Sequence, residues 1–203
     1  MIIAGAGGHA QEIATELFWS GYKGPLFFFD NTPGAALTLF NLPVLHNESE
    51  TLKALATDNR FIIGVGKPSV RSLMYTKFTE WGGVAYSLLS AHALIGEYNI
   101  TLEEGLNVMA GAVITASVQV GRGTLVNSRA NIHHECVIGS FCELSPGCKI
   151  LGKVNIGNNT TVGSNAVVLG GLTIGSNVII GAGSVVTKNV PDGVTVKGVP
   201  GRW

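Results

Sequence analysis

Residues 130–150, ANIHHECVIGSFCELSPGCKI, hold two adjacent histidines (His133, His134), Glu135 and all three cysteines of the chain. A histidine beside a carboxylate has the make-up of a general base. Neutral imidazole titrates near physiological pH, and a carboxylate partner fixes its tautomer and raises its basicity. On residue type alone His133 and His134 are equal candidates. Cys136, Cys142 and Cys148 raise two other chemistries, a metal cluster and a redox site, but no CxxC pair is present and the thiols are spaced by six. A second group lies in GAGGHA, where Gly5, Gly7 and Ala10 fit G-x-G-x-x-A, with Asp30 farther on. Such a loop, set between a strand and a helix, lets the backbone and the helix N-terminus approach a pyrophosphate.

The elements that must position these residues fall into two kinds. Up to about residue 88, strands alternate with helices: MIIAG, GPLFFFDN, RFIIGVG and VAYSLLS read as strands, and HAQEIATELFWSGY, ESETLKALATD and PSVRSLMYTKFTEWG as helices. That alternation predicts a small parallel sheet flanked by helices. From about residue 95 a strict period of six replaces it. Every sixth residue from Leu102 to Val186 is Leu, Ile or Val, fifteen in succession. This is the hexapeptide repeat of a parallel β-helix. Two places before each apolar site stands a small or aliphatic residue, such as Ala130, Thr160, Ala166 or Ser184, and the three cysteines occupy that slot. Their spacing therefore predicts packing inside the β-helix, with no metal.

The run IGNNTTVGSNAVVLGGLTIGSNVIIGAGSVVTKNV and the later GVPGR resemble the hexapeptide acyltransferases, whose left-handed β-helix has coils of about eighteen residues. That hand departs from the usual right-handed crossover. With GAGGHAQEI and FFFDN at the start, the whole chain is similar to the bacterial N-acetyltransferases of nucleotide-linked 4-amino-sugars, beside the related sialic acid O-acetyltransferases. The resemblance implies a Rossmann-like βαβ domain over 1–88 and a left-handed β-helix over 89–203. It implies a homotrimer that uses acetyl-CoA as co-substrate, binds no metal, and acetylates the amine of a nucleotide-linked 4-amino-4,6-dideoxysugar. The alternatives are O-acetylation of a sialic acid and a catalytically silent nucleotide-sugar scaffold.

The same resemblance distributes roles. His134 becomes the base with Glu135 beside it, and an eighteen-residue coil stacks His134 with Gly152 and Gly170, whose backbone would meet the thioester. Many relatives carry a second histidine nine residues on, at the donor; Glu143 stands there. Gly5, Gly7, Gly8, His9 and Asp30 would hold the nucleotide sugar, with Gly64 and Gly66 as a second loop. Ala182, Lys188 and Arg202 fall in segments that hold coenzyme A. On the motif alone a dinucleotide dehydrogenase is the rival, but some ninety residues supply one mononucleotide half only. Lys67 has no assigned contact, and Arg71 is equally a solvated helix residue or a functional one.

Composition narrows the rest. Formal net charge is zero, with 13 basic and 13 acidic residues and no basic cluster, which argues against nucleic acid and anionic membrane as partners. The start lacks a basic n-region, no apolar run reaches the length of a span, and the cysteines are odd in number. The expectation is a cytoplasmic protein with free thiols.

Overall fold

The computed structural model covers residues 1–203. The first part is a twisted sheet with helices on both faces. Its elements are β1 (Ile2–Ala4), α1 (Gly8–Trp19), β2 (Phe27–Phe29), β3 (Thr38–Leu39), β4 (Leu42–Leu45), α2 (Glu48–Leu55), β5 (Arg60–Ile63), α3 (Pro68–Glu80) and β6 (Val84–Ala85). The strand order is β3-β4-β2-β1-β5-β6. β1 lies between β2 and β5 in parallel register, Ile3 facing Phe28 and Ile62, and all three residues are fully buried. Proline in the first turn of α3 and the Asn47 side chain accepting from Glu50 N–H at the start of α2 mark two helix starts.

The sheet departs from the expected all-parallel arrangement at one edge. β3 pairs with β4 in antiparallel fashion. The connection is Phe40–Asn41, with both φ values positive at 53° and 61°. A two-residue turn of this kind favours Asn-Gly, and Phe-Asn does not announce it. The predicted last strand also divides. Val84–Ala85 closes the sheet, whereas Leu88–Leu89 pairs with Asn107–Val108 and opens the second part.

That second part is a left-handed parallel β-helix, a prism of three stacked sheets. The first face carries Asn107–Val108, Leu125–Val126 and Glu143–Leu144. The second carries Val113–Ile114, Asn131–Ile132 and Lys149–Ile150. The third carries Gln119–Val120, Val137–Ile138 and Asn155–Ile156. Inward residues form one apolar core of 26 buried side chains, which includes all three cysteines. Corners are made by the backbone. Every sixth residue from Asn99 to Gly183 has φ between +54° and +74°, at whatever residue occupies the slot, Glu135 and Lys153 included. Glycine and asparagine adopt this left-handed conformation at least cost, which accounts for Gly111, Gly123, Gly147, Asn159 and Asn165 in the column. The strict period begins late because one extra residue separates Ile95 from Leu102; Ile95 faces Ile114 and Leu102 faces Val120.

The two parts share a core. Leu88, Met109 and Leu125 of the first face join Met1, Ile3, Ile13, Leu17 and Phe28 in a cluster of 13 buried residues. Helix α1 reaches the edge between the first and second faces, where the buried Glu16 carboxylate accepts from Ser90 Oγ at 2.7 Å and Ala110 N–H at 3.1 Å. Helix α3 reaches the edge between the third and first faces, where Tyr75 meets Phe141 edge-on. Arg71, equally open to a solvated reading, is fully buried there. The remaining edge, between the second and third faces, is free.

Candidate functional site

His134 stands on that free edge. The chain turns at Glu135, φ +59°, and this corner brings two consecutive side chains together that an extended strand would point apart. The Glu135 Oε2 accepts from His134 Nδ1 at 2.9 Å, and Lys153 Nζ approaches the same oxygen at 3.9 Å. With Nδ1 engaged, Nε2 is the nitrogen left for an incoming proton. Both side chains are more than half exposed, at 58 % and 53 %, so the pair contributes little to stability.

One coil farther on, Gly152 lies against the imidazole. A Cβ at Gly152 would stand 2.5 Å from His134 Cε1 and Nε2, so only glycine leaves the ring its place. The N–H of Gly152 makes no hydrogen bond, because the ladder there runs through Leu151 and Lys153. A donor beside the base that is not used by the fold suits a developing oxyanion. Gly170 follows in the column, and Lys188 continues it, three residues after Val185 as Gly170 is after Val167. Lys188 Nζ lies 5.0 Å over the ring of Trp203.

Of the other expected donor residues, Glu143 and Ala182 are not brought to this edge. Ala182 stands on the edge below α1, in the column of Ala110, Ser128, Pro146 and Ser164, which form one wall of a cleft of about 540 Å³. Glu12, Glu16, Trp19 and Arg129 also line that cleft, and no motif in the sequence marks them as a site. Glu143 lies on the first face, its carboxylate 3.7 Å from where a Cβ of Gly66 would be, and accepts from Ser145 Oγ at 3.1 Å. Arg202 is part of a short bridge with Lys197 at the chain end.

The glycine loop forms a cleft of about 330 Å³ with Gly5, Gly7, Asp30 and Val65 among its walls. Gly5, φ +139°, is required by packing, since its Cβ would meet Gly64 O at 2.7 Å; Gly64 in turn abuts Ile3. Gly7 and Gly8 face open space. No protein atom demands glycine at either, and the N-terminus of α1 stands directly behind them, the position in which backbone N–H groups take an anion. Asp30 accepts from Thr32 N–H at 2.9 Å. His9 is held by Glu12 at 3.2 Å through Nδ1, and its Nε2 is buried with no partner. Of the second loop, Val65 lines the cleft, whereas Gly66 faces the prism.

The cysteines lie where their spacing placed them. All three are buried and free, and Cys136 and Cys142 donate to the carbonyls of Leu151 and Gly157 at 3.1 and 3.2 Å. Burial pushes the Cys142 thiol up to about 11 and Cys148 to about 12. No group of three or more His, Cys, Asp or Glu side chains is arranged to hold a metal ion. No helix is long and apolar enough to cross a membrane.

Two family models match the chain. Residues 1–78 match the PglD N-terminal domain, and residues 153–188 match the bacterial transferase hexapeptide in six repeats. A curated relative, GDP-perosamine N-acetyltransferase of Escherichia coli O157:H7, is 36 % identical over 117 residues, 58 % of this chain; the match spans about half of that relative, 52 % of its length. Among solved structures, PerB from Caulobacter crescentus in complex with CoA and GDP-perosamine superposes with a TM-score of 0.91 at 28 % identity, covering 99 % of this chain and 95 % of that one. The acetyltransferase domain of PglB from Neisseria gonorrhoeae, in complex with acetyl coenzyme A, gives 0.90 at 28 % identity, covering 99 % and 97 %. The chain is thus similar, over nearly its whole length, to hexapeptide-repeat acetyltransferases, and it carries a PglD N-terminal domain followed by bacterial transferase hexapeptide repeats.

Proposed function

We propose that this protein is a cytoplasmic homotrimeric N-acetyltransferase that moves acetyl from acetyl-CoA to the amine of a nucleotide-linked 4-amino-4,6-dideoxysugar. The observation that carries the reading is the His134–Glu135 pair set over Gly152 on the one edge of the prism that the first domain leaves free. The names of the relatives supply the substrate class, with a GDP-linked sugar the first to test. Residues 1–88 take the nucleotide and 89–203 the acetyl donor, a division supported by the start of the prism at Leu88–Leu89.

The chemistry follows from the geometry. The amine nitrogen attacks the thioester carbonyl carbon, and His134 Nε2 takes the proton that the nitrogen sheds. Glu135 holds the opposite ring nitrogen as donor and stabilises the imidazolium that forms. The Gly152 N–H is available to the carbonyl oxygen as it gains charge. The C–S bond then breaks, and the departing thiolate takes up the proton. The acetyl donor extends from His134 along Gly152 and Gly170 toward Lys188, whose cation suits its phosphates.

A single copy does not complete this site. The nucleotide cleft and Ala182 lie toward the first face and the α1 edge, and His134 is on the opposite edge. Threefold assembly that sets the free edge of one copy against the α1 edge of the next would unite them. The test is steady-state kinetics with acetyl-CoA and GDP-, dTDP- and UDP-linked 4-amino-sugars. His134→Ala is expected to lower kcat about a hundredfold or more with the melting temperature unchanged. A normal His134→Ala beside a crippled His133→Ala would refute the assignment of the base.

A further inference from the structure

Arg71 heads the fully buried side chains by size, and it forms no ion pair. Its guanidinium instead reaches three chain segments at once. Nη1 donates to Val65 O at 2.7 Å, Nε to Gly123 O at 2.7 Å, and Nη2 to the Asn107 side-chain oxygen at 2.8 Å. Val65 is a wall of the nucleotide cleft, and Gly123 and Asn107 belong to the prism. Burial lowers the guanidinium to about 9, with Glu143 opposing the fall. A charge held out of water by neutral acceptors is a costly way to join two layers that already share an apolar core. What the planar fork adds is direction: its donors leave at fixed angles, so three acceptors are held in one arrangement.

We propose that Arg71 is a positioning residue for acetyl transfer, fastening the cleft wall at Val65 to the prism at Gly123 and Asn107 so that nucleotide and prism keep one separation. The inference rests on the N-acetyltransferase reading. Energy from binding the remote nucleotide raises the rate only if the cleft is fixed on its own prism and, through the packing of prism on prism in the trimer, relative to the edge of the next copy where the amine reacts. Slack there leaves the nucleotide bound and the amine misplaced.

The experiment compares Arg71→Lys and Asn107→Ala with the wild-type protein. A lysine keeps the charge but cannot serve three directions, and the alanine removes one prism acceptor while leaving the guanidinium in place. Binding of GDP, dTDP and UDP is measured by calorimetry, and kcat and KM are measured for the nucleotide amino-sugar and for acetyl-CoA. Arg71→Lys is expected to lower kcat with the nucleotide sugar roughly ten- to a hundredfold, and Asn107→Ala about fivefold, both with nucleotide Kd and the KM for acetyl-CoA within about twofold of wild type. A merely structural role would move melting temperature and all constants together. Should Arg71→Lys fail to fold, Asn107→Ala decides alone. Folded variants with wild-type kcat overturn the inference, as does a loss of nucleotide affinity that matches the loss of kcat. A wild-type protein that binds none of the three nucleotides overturns the functional reading and this inference with it.

Discussion

At His134 the deciding contacts belong to its neighbours. Glu135 reaches the imidazole because a left-handed corner separates the two residues, and the ring keeps its place because Gly152 has no side chain. Gly152→Ala is therefore expected to displace the proposed base without disturbing the prism, since the backbone at Gly152 lies outside the region reserved for glycine. The expected loss in kcat is about tenfold or more with an unchanged melting curve; wild-type turnover in the alanine variant would show that the ring is not held there. The thiols make an opposite case, chemically capable groups that packing silences. With Cys142 near 11 and Cys148 near 12, thiolate is scarce at pH 8, and the sulfurs are enclosed. Reaction with a thiol reagent at pH 8 should be negligible in the native protein and reach all three residues in guanidinium. Fast labelling of the native protein would contradict the enclosed prism.

Among the elements, the turn between β3 and β4 is the one built against local preference. Phe40 and Asn41 both hold positive φ, and half of the Phe40 side chain is exposed, so little packing offsets its backbone cost. Replacing the pair with Asn-Gly, Phe40→Asn with Asn41→Gly, should stabilise the protein by about 1 kcal/mol. The denaturant midpoint measures this, and a lower midpoint would mean that the Phe40 ring contributes more than its exposure suggests. The prism shows the reverse relation. Its corner slot recurs every six residues, so the ladder of its neighbours holds even Glu135 and Lys153 in the left-handed conformation.

For the whole molecule, the proposed site predicts complementation between damaged subunits. His134→Ala removes the base and leaves the glycine cleft; Gly7→Val fills the open space at the loop and leaves the base. Each homotrimer should be nearly inactive with the nucleotide sugar. Co-expressed, they should recover about a quarter of wild-type activity, because in random trimers that share of sites pairs an intact cleft with an intact base from the next copy. Sites formed within one chain would recover nothing. The trimer itself is checked by light scattering, and an active monomer at nanomolar concentration would refute it.

Much of this protein was legible in its sequence because its largest part is periodic. Fifteen apolar residues at a period of six mark a parallel β-helix, so its first-to-last order and the enclosure of Cys136, Cys142 and Cys148 followed from spacing, whereas its left hand and eighteen-residue coil came with the family resemblance. The glycine loop was legible for a similar reason, a tight turn between strand and helix needing Gly5. What spacing could not supply was how the two parts meet. Arg71 reads as one more basic residue on a helix until Gly123 and Asn107, 52 and 36 residues away, come within reach of its guanidinium. Glu143, nine residues from His134, stands on another face, and Ala182 and Gly152 fall on different edges, because a coil of three sides sends nearby residues in three directions. Sequence distance determines the face within a repeat. Only the packing of one part on the other decided which face was covered and which edge was left open.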